Sequence, residues 1–318
     1  MKIINNFGKL DKLESDIDAS CIGAFDGIHL GHQQLITETK KISNNFQIIT
    51  FDQVPKIKMD KRRTTGPYNS RKLRPLINPH LKNELFKTFK PKNLIYLDFY
   101  QISSMLPEQF IDLLINNLNT RKIVVGKDFK FGSQRSGNIQ SLINKFGESN
   151  VYLVEDFLID NQKVSSTKIR DFLDIGNIEK VNKLLGREYE ISGTVSRGFG
   201  LAKELGFPTA NIRLGSNLPK SLDEDQIIYL PKNGVYGVTC HLGNKKYTGI
   251  LNIMNTGFIR HHNDNYKIEV HIFDFDDDIY KKEIKVYLNT FVREHKRFNS
   301  KEETIKQISN DINSLKKN

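Results

Sequence analysis

Near residue 187 the hydrophobic pattern of this chain changes period, and that change restricts the fold more than any single residue does. Ahead of it, short apolar runs at residues 19–23, 47–51, 93–97, 122–126 and 151–154 alternate with helical patterns at 30–41, 81–89 and 107–118. Apolar runs of this length read as buried strands. In the last helical segment Phe110, Leu113, Leu114 and Leu118 keep near-helical spacing, and Pro107 stands where a first turn tolerates it. Strand–helix alternation predicts a doubly wound parallel sheet covered on both faces. Beyond residue 187 the β-rich runs 189–195, 235–242, 246–251, 267–275 and 283–288 follow one another without helices, with Gly243-Asn244 as a hairpin signal. Closely spaced strands of that kind predict a small antiparallel β-barrel. The chain then closes on a helix, with Ser300 and Glu303 as a capping box and Ile305, Ile308, Ile312 and Leu315 as its apolar stripe. The expected class is therefore α/β, with a first domain over 1–186 that includes a helical connection at 171–186, and a second over 187–318.

The length of 318 residues suits about two domains. Hydrophobic residues at 38% and charged residues at 27% suit a globular chain rather than a disordered one. Its apolar runs fall far short of the ~20 residues of a membrane-spanning helix, and no apolar core of secretory length follows Met1, so neither an integral membrane protein nor a signal peptide is expected. Cys21 and Cys240 are too few for a disulfide scaffold or a cysteine zinc cluster and fit a reducing cytoplasm. The net charge of +11 comes from scattered lysines with short clusters such as Lys61-Arg62-Arg63. We read it as a solvated lysine surface, with attraction of anionic small molecules such as nucleotides as a separate reading that composition leaves open, and expect neither nucleic acid nor membrane as partner. Self-association is left open. Residues 53–78, with Pro55, Gly66, Pro67 and Pro75 among many charges, read as a long loop, of a length usually functional or disordered.

The strand ending at Gly23 runs into Ala24-Phe25-Asp26-Gly27-Ile28-His29-Leu30-Gly31-His32. Glycines let backbone approach a ligand, and a helix N-terminus offers free N–H groups to an anion. His29 and His32, three apart, share one face of the first turn. Together they predict a site for nucleotide phosphates.

This segment resembles the His-x-Gly-His signature of the nucleotidylyltransferase superfamily, which also includes class I aminoacyl-tRNA synthetases. The longer string, with Gly23, Phe25, Asp26, Gly27, His29, Gly31 and His32, is similar to the bacterial bifunctional riboflavin kinase/FAD synthetase family. Further matches follow in that family's order. They are Thr50-Phe51, Val125 to Gly132 with Asp128, Phe129 and Phe131, then Ser165-Ser166-Thr167 with Arg170, Leu185-Gly186-Arg187, and Gly206-Phe207-Pro208-Thr209-Ala210-Asn211. The resemblance spans nearly the whole chain. It implies a nucleotidylyltransferase domain that joins FMN to ATP, giving FAD and pyrophosphate, followed by a kinase domain that phosphorylates riboflavin to FMN.

Within the first domain the resemblance implies His29 and His32 as catalytic groups, the glycine loop with Ser165, Ser166, Thr167 and Arg170 as the ATP side, and Asp128, Phe129 and Phe131 as the flavin side. From the residues alone, the Phe129 and Phe131 loop also reads as core, and Ser166 or Thr167 as a helix N-cap. FMN brings a phosphate already largely dianionic at pH 7, so alignment and charge dispersal matter more than a strong base. The second domain meets a neutral hydroxyl, which calls for a general base. There the resemblance implies Glu269 as that base, Thr209 and Asn211 holding Mg²⁺ and phosphate, and Gly198 to Lys203 covering the phosphates. It also places Gly206, Phe207 and Pro208 at the nucleotide and Arg293 near the flavin. Read without it, 206–211 is a turn between barrel strands and Glu269 a solvated strand residue. Three segments depart from the family. Residues 253–259 lack a proline, Ala202-Lys203 replaces Gly-Arg, and Thr50-Phe51-Asp52-Gln53-Val54-Pro55 has lost one proline. The departure near Met254 motivates one alternative, a monofunctional FAD synthetase whose barrel only binds flavin. A tRNA-binding synthetase-like protein is disfavoured, because no Lys-Met-Ser-Lys-Ser segment is present.

Overall fold

A computed structural model describes residues 1–6, 12–13, 16–52, 74–197, 201–214, 228–255 and 266–316, with the side chains of Leu201 and Lys203 excepted. Its contacts separate Met1–Ser166 from Thr167–Asn318. In the first unit six strands, β1 (Lys2–Asn6), β2 (Ile17–Ile22), β3 (Phe46–Phe51), β4 (Asn93–Leu97), β5 (Thr120–Gly126) and β6 (Val151–Val154), form a sheet of order β1-β4-β3-β2-β5-β6. Every pairing in it is parallel.

Neighbouring residues on a strand face opposite ways, so each strand feeds two cores. Ile22, Ile49, Ile95 and Ile123 pack with Phe110, Leu114 and Leu142. Cys21, Ile48, Leu94 and Val124 pack with Leu35, Ile36, Leu81 and Phe86. Helices α1 (Leu30–Ile42) and α2 (Pro79–Thr88) thus cover one face, and α3 (Phe99–Ser104), α4 (Pro107–Asp112) and α5 (Ile139–Phe146) cover the other. This is the doubly wound sheet expected from the alternation. The segment 107–118 is not one α-helix, however. After Asp112 it widens into a π-helical turn, Leu113–Asn117, closed by Leu118 N–H donating to the Leu113 carbonyl at 3.0 Å. A small hairpin, β7 (Leu158–Ile159) with β8 (Gln162–Lys163), precedes α6 (Ser166–Ile175).

The helical connection packs with the barrel. Helix α7 (Ile178–Leu185) buries Ile178, Val181, Leu184 and Leu185 and ends at Gly186 in the left-handed region. Asn182 donates from Nδ2 to the Leu288 carbonyl and accepts at Oδ1 from Tyr189 N–H, both at 2.8 Å. Strands β9 (Tyr189–Ser196), β10 (Ala210–Arg213), β11 (Gly234–Leu242), β12 (Lys245–Asn255), β13 (Tyr266–Ile272) and β14 (Glu283–Arg293) close into an antiparallel barrel of order β10-β13-β12-β11-β14-β9. A short helix, α8 (Leu201–Glu204), lies between β9 and β10. Tyr236, Val238, Leu251, Ile253, Ile268, Val270, Val286 and Leu288 are buried on the parity that fills the interior. Gly193 is required there, since a Cβ would stand 2.4 Å from the Arg213 carbonyl oxygen.

Three expectations change. Ala210 and Asn211 are not in a loop but open β10. Strand β12 continues through Asn255, so Met254 is a strand residue, while the remainder of the altered segment, 256–259, lies outside the described residues, as do 53–73 of the long loop. In the last helix, α9 (Lys301–Lys316), Ser300 Oγ accepts from Glu303 N–H, but the Glu303 carboxylate accepts from Asn299 N–H instead of closing back on Ser300. Ile312 and Leu315 pack on Val235, Ile250 and Phe273. Ile305 is exposed, and Asp311 is the most buried residue of the helix. The stripe is therefore shorter than its spacing suggested.

Candidate functional site

The turn between β2 and α1 holds Phe25 (φ 49°), Gly27 (φ 87°) and Ile28 (φ 42°) in the left-handed region. Residues with a Cβ are strained there and persist only when packing over-determines them. Phe25 is wholly buried, with its ring edge-on to His32 at 5.3 Å and to Phe86 at 5.4 Å. His29 caps α1, its Nδ1 accepting from His32 N–H at 3.3 Å. The two imidazoles stack with centroids 3.6 Å apart and planes 15° from parallel. Since Nδ1 of His29 accepts, the neutral form of the ring carries its hydrogen on Nε2. A Cβ on Gly31 would come within 3.3 Å of the His29 ring, so the glycine keeps that ring in place.

Asp26 braces the turn. Its buried carboxylate accepts from Leu76 N–H at 2.8 Å, and its carbonyl accepts from Ser166 Oγ at 2.7 Å. The structure thus joins Ser166 to the glycine turn. Helix α6 already starts at Ser166, so neither Ser166 nor Thr167 is its N-cap. Ser165 is half-buried just before it. Thr167 and Arg170 belong to the second unit, where the Arg170 guanidinium lies over the Tyr229 ring at 5.4 Å.

Sequence reasoning missed Lys82. Its ammonium donates to the Ala24 carbonyl at 3.0 Å and to Thr50 Oγ1 at 2.9 Å, beneath the turn. Burial pushes its pKa down to about 8, against the opposing pull of Asp26 and Asp52. The available signal was a lysine four residues before Phe86, on the inward stripe of α2.

Past β5, Phe131 is a core residue packed on Phe110 at 5.1 Å, and half-buried Phe129 stacks on Phe131 at 5.5 Å. Exposed Asp128 pairs with Lys163, whose ammonium holds the carboxyl below its usual range. Lys127, Asp128, Phe129, Lys130, Arg135 and Asn138 line an open groove of about 490 Å³, a size that suits a small-molecule ligand. Of the expected flavin-side residues, Asp128 and Phe129 face this groove and Phe131 supports it from the core.

In the barrel, Asn211 on β10 stands directly opposite Glu269 on β13. The Glu269 side chain is 16% exposed and pairs with Lys267 at 2.9 Å. Just before β10, the Gly206-Phe207-Pro208 turn is braced by His271, also missed from sequence. His271 Nδ1 lies 2.8 Å from the Pro208 carbonyl, so this nitrogen carries the hydrogen, and its ring meets Phe207 edge-on at 5.8 Å. Thr209 is half-buried between that turn and Asn211. Arg293 ends β14, with Nε and Nη2 both 2.8 Å from Asp311 Oδ2, while Gln307 Nε2 donates to Oδ1 of the same buried carboxylate. Gly198 lies outside the described residues, and Lys203 is placed by its backbone alone, in α8.

Thr209, Asn211 and Glu269 offer only oxygen donors, which suits a hard cation such as Mg²⁺ held chiefly through substrate phosphates. Among the described residues no group of three His, Cys, Asp or Glu side chains could form a metal cage. Cys21 and Cys240 are buried free thiols pushed up to about 12, too high for nucleophilic work.

A family model described as FAD synthetase matches residues 13–168, and one described as riboflavin kinase matches residues 185–318. A bifunctional riboflavin kinase/FMN adenylyltransferase of Buchnera aphidicola subsp. Schizaphis graminum is 36% identical over 329 residues, covering 100% of this chain and 98% of its own. The Bacillus subtilis protein of the same description is 30% identical over 311 residues, covering 95% and 92%. The crystal structure of a macrolide-efflux protein from Streptococcus pneumoniae matches 99% of both chains with a TM-score of 0.82 at 27% identity. Among the described residues of this chain no helix is long and apolar enough to cross a membrane.

Proposed function

The chain belongs to the bifunctional riboflavin kinase/FMN adenylyltransferase family and carries both activities, and from that premise we propose which residues perform each reaction. With both family models matched, the monofunctional alternative is set aside.

Riboflavin is phosphorylated on the outer face of the barrel. Its terminal ribityl hydroxyl attacks the γ-phosphorus of ATP, Glu269 takes the proton, and ADP leaves. Thr209 and Asn211 would hold Mg²⁺, which when bound would neutralise phosphate charge. The observation that supports this reading is the direct cross-strand pairing of Asn211 with Glu269, an amide residue opposite a carboxylate.

FMN is adenylylated at the turn before α1. An FMN phosphate oxygen attacks the α-phosphorus of ATP and pyrophosphate leaves. His29 Nε2, the His32 ring and the first N–H groups of α1 spread the charge of the transition state. The groove at Asp128 and Phe129 takes the flavin. Two buried thiols outside any disulfide suit a cytoplasmic enzyme, and nothing in this scheme calls for nucleic acid or a membrane.

Supplying the two flavins separately tests the assignment. Glu269→Gln should stop FMN formation from riboflavin while supplied FMN still becomes FAD, and His32→Ala should do the reverse. Loss of both reactions together in either variant would refute the division.

A further inference from the structure

Asn252 sits on β12 between Leu251 and Ile253, whose side chains are buried inside the barrel. Alternation along the strand turns Asn252 outward. The register places it directly opposite Glu269, on the side of β13 away from Asn211. Beyond it come Val235 on β11 and then Arg293 on β14, each opposite its neighbour. Asn211, Glu269, Asn252, Val235 and Arg293 therefore form one row across five adjacent strands.

The amide oxygen of Asn252 is buried, and no group among the described residues donates to it. A buried acceptor without a donor is costly to a fold. Its neighbour in the row, Val235, and Ile250 two residues earlier on the same face are apolar and buried, so an aliphatic side chain would suit position 252. An acceptor kept at such a place points to a donor that arrives with a ligand.

The row orders its chemistry as the substrate orders its parts. Asn211 stands at the phosphate end, Glu269 at the reacting hydroxyl, and Arg293 at the flavin end. Val235 is covered by Ile312 and Leu315, so a flavin reaching from Glu269 toward the Arg293 end carries its ribityl chain past Asn252 rather than along the whole row. Adjacent strands are ~4.8 Å apart, which puts the amide within reach of a hydroxyl one or two carbons from the reacting one. We propose that Asn252 is a substrate-positioning residue whose Oδ1 accepts a hydrogen bond from a secondary hydroxyl of the ribityl chain, so that the kinase site selects flavins bearing a polyol. This rests on the kinase site proposed above.

The test measures kcat/KM for phosphorylation of riboflavin and of its 2′-, 3′- and 4′-monodeoxy analogues by wild type, Asn252→Leu and Asn252→Asp. Circular dichroism and a cooperative melting transition report that the barrel of each variant is folded, and conversion of supplied FMN to FAD reports the first unit. Wild type should use one of the analogues about tenfold less well than riboflavin, the effect of one lost hydrogen bond. Asn252→Leu should lose about tenfold on riboflavin and no longer distinguish that analogue. Asn252→Asp, which keeps an acceptor, should still distinguish it, and the melting temperature of Asn252→Leu should not fall. The proposal is overturned if Asn252→Leu retains the discrimination, or if its defect is a raised Mg²⁺ requirement with discrimination intact. A wild type that discriminates against none of the three analogues overturns it equally. No phosphorylation of riboflavin by wild type would instead remove the kinase reading, and the proposal with it.

Discussion

Lys267 and Glu269 project from the same face of β13, and the Lys267 ammonium lies 2.9 Å from the carboxylate assigned as the base. The proposed base is therefore held in an ion pair. Glu269→Gln keeps the shape and removes the base, so riboflavin phosphorylation should fall about 10²–10⁴-fold. Lys267→Met should keep phosphorylation at or above the wild-type rate, because it removes a cation that occupies Oε1 of the proposed base and takes nothing from Oε2. Steady-state FMN formation by both variants checks this, and a fall in Lys267→Met as deep as that in Glu269→Gln would place the lysine in the machinery.

His29 caps α1 through Nδ1, and a second, separable role at the phosphates is proposed for its Nε2. His29→Asn retains a good capping side chain and should leave the melting temperature near wild type, whereas His29→Ala should lose about 1 kcal/mol of stability. Both should lower FAD synthesis about a hundredfold or more, the usual cost of removing one transition-state donor. Thermal denaturation and FAD formation from supplied FMN separate the two effects. Near wild-type FAD synthesis by His29→Asn would mean the cap is its whole role.

Lys82 couples the turn to pH. Its proton is held to about 10.5 in an unfolded chain and only to about 8 in the fold. Between those values the unfolded state binds more protons, so this group's contribution to stability rises with pH. Below 8 both states are protonated and the full cost of burying the ammonium is present. The stability of Lys82→Met relative to wild type should therefore be most favourable near pH 7 and decline toward pH 10. Melting curves at the two pH values give that difference, and a difference that grows with pH would contradict the buried ammonium.

Asp311 holds Arg293 through two contacts and is itself held by Gln307. Removing one partner of a buried pair leaves the other uncompensated, typically at about 3–5 kcal/mol. Asp311→Ala should lower the melting temperature of the barrel unit. The milder Gln307→Ala should keep the fold while raising the KM for riboflavin more than it lowers kcat, if Arg293 acts at the flavin end as proposed. An unchanged KM in Gln307→Ala would detach this network from flavin binding.

The fragment 167–318 should fold and phosphorylate riboflavin alone, and 187–318 should fold poorly. The shorter fragment discards Ile178, Val181, Leu184 and Leu185, buried by α7, and the two Asn182 hydrogen bonds. Each buried aliphatic side chain is worth ~1.5–3 kcal/mol. Circular dichroism and FMN formation by both fragments give the comparison, and equal stability would show that α7 adds nothing to the barrel.

The strand–helix alternation, the barrel strands and the histidine turn were legible because period, β-rich runs and short motifs are local signals. β10 was not, since Ala210–Arg213 is only four residues long and its strand character comes from pairing with β9 and β13, distant in sequence. β1 is a polar strand at the edge of its sheet, without the apolar run that marked the others. Lys82, His271 and Asp311 carry no motif, and their roles lie in partners 18 to 63 residues away. The exposure of Ile305 shows the same limit, because spacing gives a face but not how far the opposing surface extends.

The barrel also checks its own assembly. Val270 faces inward and Glu269 outward because β13 pairs in one register with β10 and β12. A slip of one residue would drive the carboxylate among apolar side chains and turn valine to solvent. A misaligned chain would thus be rejected by its own interior before it could persist as a folded but inert enzyme. Selection for a stable barrel and selection for an aligned reaction centre act on the same register, so neither can drift without the other.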